Sequence, residues 1–312
     1  MAGSVVLAEA PREPALPQSA RHTQVPLRGI GLIVASTVFF SGGDVIAKKL
    51  AGSLPPIEIT WLRYVMFALI MTPFVWRSSS GLGLRSHRPG LQVLRGLGTV
   101  ASALFFISSL PFLPMADATA INFISPILIT ALAVLFLREQ VGWRRWTAAL
   151  VGLLGVLIVI RPGTGAFQMA ALLPLLAAAS WAGSAIVTRL MSGTDQPTTT
   201  LTYSALVGLG LLTVMMPFVW VTPTWAEVGL ALVMGVLSTA GHGLVVLGYR
   251  HASASVVAPF SYVQLIWAGA LGFVVFGSLP DRFTFLGAGI IVTSGLYTAY
   301  RERVRGSVTH SS

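Results

Sequence analysis

From Leu27 to Tyr300 the sequence alternates between apolar stretches of roughly twenty residues, enough for a helix to cross a hydrocarbon core, and short breaks rich in proline, glycine, serine or arginine. The pattern predicts ten such spans, at 28–50, 57–77, 91–110, 115–137, 143–161, 168–190, 198–220, 226–249, 254–276 and 283–301. The breaks fall at turn signals: Leu54-Pro55-Pro56, Ser78-Ser79-Ser80-Gly81, Pro111-Phe112-Leu113-Pro114, Arg161-Pro162-Gly163, Gly193-Thr194-Asp195, Pro223 and Pro280-Asp281. The apolar runs are continuous and show no period-two alternation, which argues against a β-barrel. In lipid each backbone group must be satisfied internally, so the expected class is an all-α integral membrane protein.

Composition agrees with that pattern. The 312-residue chain is 54% hydrophobic and only 10% charged, against about 25% charged residues in soluble domains. Its mean hydropathy is +0.80. A net charge of +10 in a soluble protein would point to nucleic acid. Here 18 of the 20 basic residues are arginines, most of them near predicted span ends. They read as topology determinants and lipid-headgroup contacts, with no nucleic-acid partner. There is no cysteine, so disulfides and thiol chemistry are excluded.

With the N-terminus in the cytoplasm, fifteen Lys and Arg fall inside and five (Lys48, Lys49, Arg63, Arg161 and Arg282) outside. That bias places both termini in the cytoplasm and favours an even number of spans. The expected location is the cell inner (cytoplasmic) membrane. Residues 1–27 and 302–312 read as cytoplasmic tails, the first disordered. Val5-Val6-Leu7-Ala8 is too short for a signal-peptide core. Six of the eight tryptophans lie near span ends, as interfacial anchors do; Trp181 and Trp267 lie deeper.

The two halves echo each other at a spacing of about 140 residues, as internal repeats in transporters do. Met216-Pro217-Phe218-Val219-Trp220 repeats Thr72-Pro73-Phe74-Val75-Trp76. Phe40-Ser41-Gly42 answers Trp181-Ala182-Gly183, and Ala116-Asp117-Ala118-Thr119-Ala120 answers Ala252-Ser253-Ala254-Ser255-Val256. Five spans per half insert the second copy upside down, which puts a substrate site near midplane between the copies.

The segment 113–163, LPMADATAINFISPILITALAVLFLREQVGWRRWTAALVGLLGVLIVIRPG, closely resembles the EamA repeat of the drug/metabolite transporter superfamily. The second copy, 252–300, fits more loosely, with Ser278-Leu279-Pro280 in place of the charged turn. The stretches GGDVIAKKL (42–50), ITWLRY (59–64), RPGLQVLRG (88–96) and 259–280 look like carriers for S-adenosylmethionine uptake; riboflavin and amino-acid carriers share much of this. The resemblance implies ten transmembrane helices as two inverted five-helix EamA repeats, at 28–163 and 164–301. It also implies a central cavity lined mainly by spans 1, 3, 4, 6, 8 and 9.

Ionisable groups deep in a membrane usually pair or face a cavity. Asp44 in span 1 and Arg63 in span 2 sit at matching depths of roughly 9 Å from one membrane face, counted at 1.5 Å per residue. They suit either a lock between adjacent spans or a gate that meets substrate charge, and Lys48 is a second partner for Asp44. Repeat 2 has Ala185 and Ser204 at the matching places. His242, between two glycines, is either a neutral hydrogen-bonding residue or a titrating one. Asn122, Ser125 and Pro126 in span 4 and Pro259, Tyr262 and Gln264 in span 9 form polar patches beside prolines, whose freed carbonyls call for a wet cavity or protein partners. Trp181 and Trp267 offer rings that can stack on a flat or cationic ligand, or simply pack. Glycine pairs such as 96/98, 152/155, 208/210 and 287/289 permit close helix crossings or homodimer contact.

These residues favour a secondary carrier of a small organic metabolite, such as S-adenosylmethionine or a similar zwitterionic or cationic solute. An amino-acid or riboflavin carrier is the alternative within the same class. A membrane-embedded enzyme would need a nucleophile–base pair or a metal cluster, and the spans carry no HExxH or GxSxG. A channel would present rings of charge or carbonyls. No catalytic residues, metal or cofactor are expected.

Overall fold

The computed structural model describes residues 26–77, 85–138, 143–161, 169–191, 195–251 and 258–308. The expected turns at 78–81 and 162–163, the repeat segment 252–256 and nearly all of the N-terminal tail lie outside the described residues. The helices are α1 (Pro26–Leu50), α2 (Pro56–Arg77), α3 (Pro89–Ser109), α4 (Met115–Asn122), α5 (Ser125–Leu137), α6 (Trp143–Ile160), α7 (Leu172–Leu190), α8 (Pro197–Met215), α9 (Trp225–His251), α10 (Val263–Phe276) and α11 (Arg282–Val308). Four of them open on proline, whose missing N–H has no helical partner at that position anyway. Among the described residues, six helices are long and apolar enough to cross a membrane: Leu27–Leu50, Pro89–Ser109, Met115–Leu137, Met169–Thr188, Thr198–Phe218 and Trp225–Val245. Two shorter apolar helices, Trp146–Ile160 and Phe260–Phe276, accompany them.

Predicted span 4 is not one continuous helix. It is interrupted at Phe123 and Ile124, where i→i−3 bonds take over: Ile124 N–H donates to the Ile121 carbonyl at 3.1 Å and Ile127 N–H to the Ile124 carbonyl at 3.0 Å. Pro126 has no N–H for the Asn122 carbonyl, so the α-helical ladder cannot run through. Predicted span 9 behaves alike: a 3₁₀ turn, Ala258–Tyr262, precedes α10. Both segments also end alike. Arg138 (φ 54°) and Gly277 (φ 67°) each adopt the left-handed cap conformation. Their N–H groups reach back to the Ala133 carbonyl and to the Gly272 and Phe273 carbonyls, respectively. At the far end, α11 continues to Val308, into the segment expected to be tail.

The helices pack mainly across the two halves. α1 lies along α9, α3 along α7, α2 against α8 and α9, α3 against α8, and α6 along α11; α5 meets α7, and α1 meets α10. Exchange α1 with α7, α2 with α8, α3 with α9, α5 with α10 and α6 with α11. These leading packing pairs then map onto one another, while the contacts of α2 with α3 and of α4 with α10 have no counterpart. Along α1 and α9, Ile33 faces Gly248, Phe40 faces Gly241 and Gly43 faces Ser238, so the two helices run antiparallel. α6 and α11 meet backbone to backbone. A Cβ on Gly287 would lie 2.5 Å from the Gly155 carbonyl oxygen, and one on Gly155 would lie 2.8 Å from that of Gly287. These glycines therefore pack within the chain, and no side chain fits between them.

The largest core gathers the C-terminal part of α1, the start of α2, the end of α3, and α4, around Ala47, Leu50, Ile59, Ile107, Leu110 and Ile121. Large apolar side chains such as Val214, Val274 and Phe136 stand exposed on the outside, as a lipid-facing surface requires. Buried hydroxyls bond carbonyls of their own helices: Ser36 to Ile33, Thr37 to Val34, Thr60 to Pro56 and Thr239 to Gly235.

Candidate functional site

Asp44 is buried on α1, and the Gln264 amide of α10 donates to its Oδ2 at 3.5 Å. Arg63 lies within electrostatic reach of both Asp44 and His242. Among the described residues no ion pair within 4.0 Å joins Asp44 to Arg63. The expectation of a direct pair assumed that consecutive spans pack side by side. α1 packs instead on α9 and α10, and α2 on α8 and α9. Lys48, the other expected partner of Asp44, gives its ammonium to the Leu113 carbonyl at 2.5 Å.

His242 on α9 is boxed in by aromatic rings. Phe40 of α1 meets it edge-on at 4.9 Å between centroids, and Phe67 of α2 stacks on it at 5.9 Å. Its Nδ1 lies 2.8 Å from the Ser238 carbonyl. A carbonyl only accepts, so Nδ1 carries the proton. His242 is thus a packed junction of α1, α2 and α9, with a defined tautomer.

Trp181 on α7 is 39% exposed. At 3.6 residues per turn, Pro174, Ala177, Ala178 and Ser184 share its side of the helix, and all four are buried. Leu172, Leu176, Ala179 and Leu190 share the opposite side, and all four are exposed. Trp181 thus lies on the side of α7 that carries these buried neighbours, together with the exposed Thr188 nearer the helix end. Gln264 on α10 is placed the same way, on the side opposite the exposed Ile266, Ala270 and Phe273.

Among the described residues, the buried polar atoms without a hydrogen-bond partner include Ser41 Oγ on α1, Thr119 Oγ1 and Asn122 Oδ1 on α4, and Trp267 Nε1 on α10. Leaving such an atom unpaired costs about 1–3 kcal/mol. α1 packs on α10, α10 on α4, and α4 on α7, so all these groups belong to one series of neighbouring helices. The Tyr262 ring lies tilted by 39° against that of Phe123, 5.0 Å between centroids, at the break between α4 and α5. Ser125 is buried and Pro126 exposed at the start of α5; the side chain of Pro259 lies outside the described residues. The arrangement offers a cationic or polar flat solute one carboxylate, amide and hydroxyl groups, and aromatic rings.

The sequence reading missed two polar clasps. In one, Asp195, between α7 and α8, accepts from the Ser86 hydroxyl, the His87 backbone N–H at 3.0 Å and the Gln92 amide at 2.7 Å. Burial works to raise the Asp195 carboxyl, but these hydrogen bonds outweigh it and hold the group well below the usual carboxylate range. Beside it the Arg95 guanidinium donates to Thr188 at 2.8 Å and to Ser204. In the other clasp, Ser53, between α1 and α2, donates to Glu227 at the start of α9. Ser53 stands to Asp195, and Ser86 to Glu227, at the spacing that relates the two halves, with serine and carboxylate interchanged. That interchange was the available signal; as isolated loop residues they look unremarkable.

A sequence profile described as the EamA-like transporter family matches residues 27–161 and 168–300. The chain is 29% identical to the S-adenosylmethionine uptake transporter of Rickettsia felis, over 92% of this chain and 97% of that one. It is 30% identical to the riboflavin transporter of Rhizobium johnstonii, over 88% of this chain and 91% of that one. A solved crystal structure shares its fold with a TM-score of 0.62 at 19% identity, covering 86% of this chain and 96% of that chain.

Proposed function

The chain belongs to the EamA-like transporter family, and from that membership we propose that it is a secondary carrier moving a small organic cation or zwitterion by alternating access. The observation that carries the reading is the set of groups on the neighbouring helices α1, α4, α7 and α10: Asp44 with Gln264, the unpartnered Asn122 Oδ1 and Trp267 Nε1, and the half-exposed ring of Trp181 beside the buried residues of α7. S-adenosylmethionine suits that set, because its positive centre matches a buried carboxylate and its adenine ring matches an indole face. A riboflavin carrier is the second reading. It draws on a relative of similar identity, 30%, and on Trp181, since stacking needs no charge.

The topology in this proposal is ten spans in two inverted halves, with both termini on the cytoplasmic side of the inner membrane. The exchange of packing partners between halves, the antiparallel run of α1 and α9 and the arginine bias support it. The test is a thermal-shift panel on purified protein with S-adenosylmethionine, riboflavin and amino acids, followed by counterflow of any hit in proteoliposomes. Saturable counterflow separates a carrier from a channel. Absence of both a ligand-induced shift and saturable counterflow removes the proposal.

A further inference from the structure

The ends of α4, α6 and α11 enclose a cavity of about 270 Å³, with Asp117, Arg161 and Asp281 on its walls over Leu113, Ile121 and Val159. Four charged groups from four parts of the chain meet at this place. Asp117 stands on α4, Lys48 reaches in from α1, Arg161 follows α6, and Asp281 precedes α11. Their arrangement is uneven. The Arg161 guanidinium pairs with Asp281 at 2.6 Å. The Lys48 ammonium donates to the neutral Leu113 carbonyl and sits 5.4 Å from the centre of the Phe276 ring. Both cations bypass Asp117, and among the described residues it has no ion pair within 4.0 Å.

The partner of Asp117 is a hydroxyl. Thr284 Oγ1 lies 2.7 Å from Asp117 Oδ1 and 3.0 Å from Asp281 Oδ1. Asp281 Oδ1 also accepts the Thr284 backbone N–H at 2.8 Å, the capping bond that opens α11. A threonine hydroxyl has one proton to donate. With both carboxylates ionised, one of its two contacts sets lone pair against lone pair. A single added proton resolves the conflict. Asp281 is held ionised by Arg161, so the proton belongs on Asp117; Asp117 donates to Thr284, and Thr284 donates to Asp281.

We propose that Asp117 is a proton-binding site reached through this cavity, and that its loading and unloading are coupled to transport. The coupling half of this inference rests on the carrier reading above. When Asp117 releases its proton to water in the cavity, a carboxylate remains and the Thr284 hydroxyl turns to it. Asp281 then loses one donor, and Lys48 gains a charge to approach. Lys48 stands one helical turn from Asp44 on α1. The change of charge is thereby felt on the helix that carries the candidate substrate carboxylate.

Two measurements test it. The first is an infrared pH titration of substrate-free purified protein, following the protonated-carboxyl band. The band is expected in the wild type and in Asp44→Asn, retained in Asp117→Glu and lost in Asp117→Asn; a band unchanged in Asp117→Asn overturns the site, whether or not any solute is carried. The second uses proteoliposomes and labelled S-adenosylmethionine, or riboflavin if that is the counterflow hit. An imposed pH gradient should drive accumulation several-fold above equilibrium in the wild type, while Asp117→Asn keeps counterflow and loses accumulation. Accumulation by Asp117→Asn equal to wild type, or accumulation driven by a sodium gradient at constant pH, overturns the coupling. Absence of counterflow for every probe in the wild type strikes the carrier reading and the coupling with it, and leaves the infrared result to decide the site.

Discussion

The Gln264 amide on α10 reaches the Asp44 carboxylate on α1 at 3.5 Å, joining the second half of the chain to the first at a buried position. This contact is at the outer limit of hydrogen-bond length. An incoming cation can displace it at small cost. Replacing Asp44 with Asn is expected to weaken binding of S-adenosylmethionine about 10–150-fold, the loss of one charge-assisted contact of about 1.5–3 kcal/mol. Neutral riboflavin should be affected far less. Equal loss for both in a binding assay would remove the charge-recognition role.

Trp181 is expected to act through its ring face. Trp181→Ala should raise the half-saturating concentration of the transported solute roughly 2–30-fold, for a stacking or cation–π contact of about 0.5–2 kcal/mol. Trp181→Phe should recover part of it. Because the indole is partly exposed, the melting temperature should move little. A large drop in melting temperature with unchanged transport would identify a packing residue instead.

The Asp195 clasp makes a pH prediction with a definite sign. Its carboxyl is depressed in the folded protein. Its contribution to stability is therefore fully present above the unfolded value of about 3.9 and is lost as pH falls through the lowered folded value. Asp195→Asn should flatten that acid limb of a thermal-unfolding series. The chain has no cysteine, so a single Thr200→Cys reports access directly. Adding Asp195→Asn should speed its labelling by a water-soluble maleimide several-fold. Unchanged labelling would mean that the clasp does not hold this face shut.

Gly287→Val tests the α6–α11 contact. The new side chain would meet the Gly155 carbonyl and Val159 at 2.5 Å. Overpacking of this kind costs about 1–3 kcal/mol. A lower melting temperature in detergent is expected, with ligand affinity preserved in the protein that remains folded. A melting curve like that of the wild type would show that the two helices separate freely.

Most of the architecture was legible because lipid leaves the backbone few options: long apolar runs must be helices, and their ends carry Pro, Gly and Arg. The missing N–H of Pro126 accounts for the break between α4 and α5, but the unbroken apolar run over 115–137 read as a single span. Which helices touch was not legible. Asp44 and Arg63 share a depth, but depth says nothing of azimuth, and α1 turned toward α9 because Gly43 and Gly241 let Ser238 and Phe40 come close. His242 read as a solitary polar residue because Phe40 and Phe67 reach it from distant parts of the chain. The orientation of Trp181 depends on which neighbours its own helix buries, a tertiary property that no local pattern encodes.

The meeting of Gly155 with Gly287 constrains how the molecule can move. Carbonyl against α-carbon leaves no compressible layer, and the bond from Ser294 to the Ala148 carbonyl fastens the same pair further along. A slip by one residue would drive Val156 or Ala288 into the opposing backbone. These two helices therefore form a fixed keel, and any change of access must come from the remaining helices swinging about it, so spin-label distances across α6 and α11 should stay constant while those between α1 and α7 change.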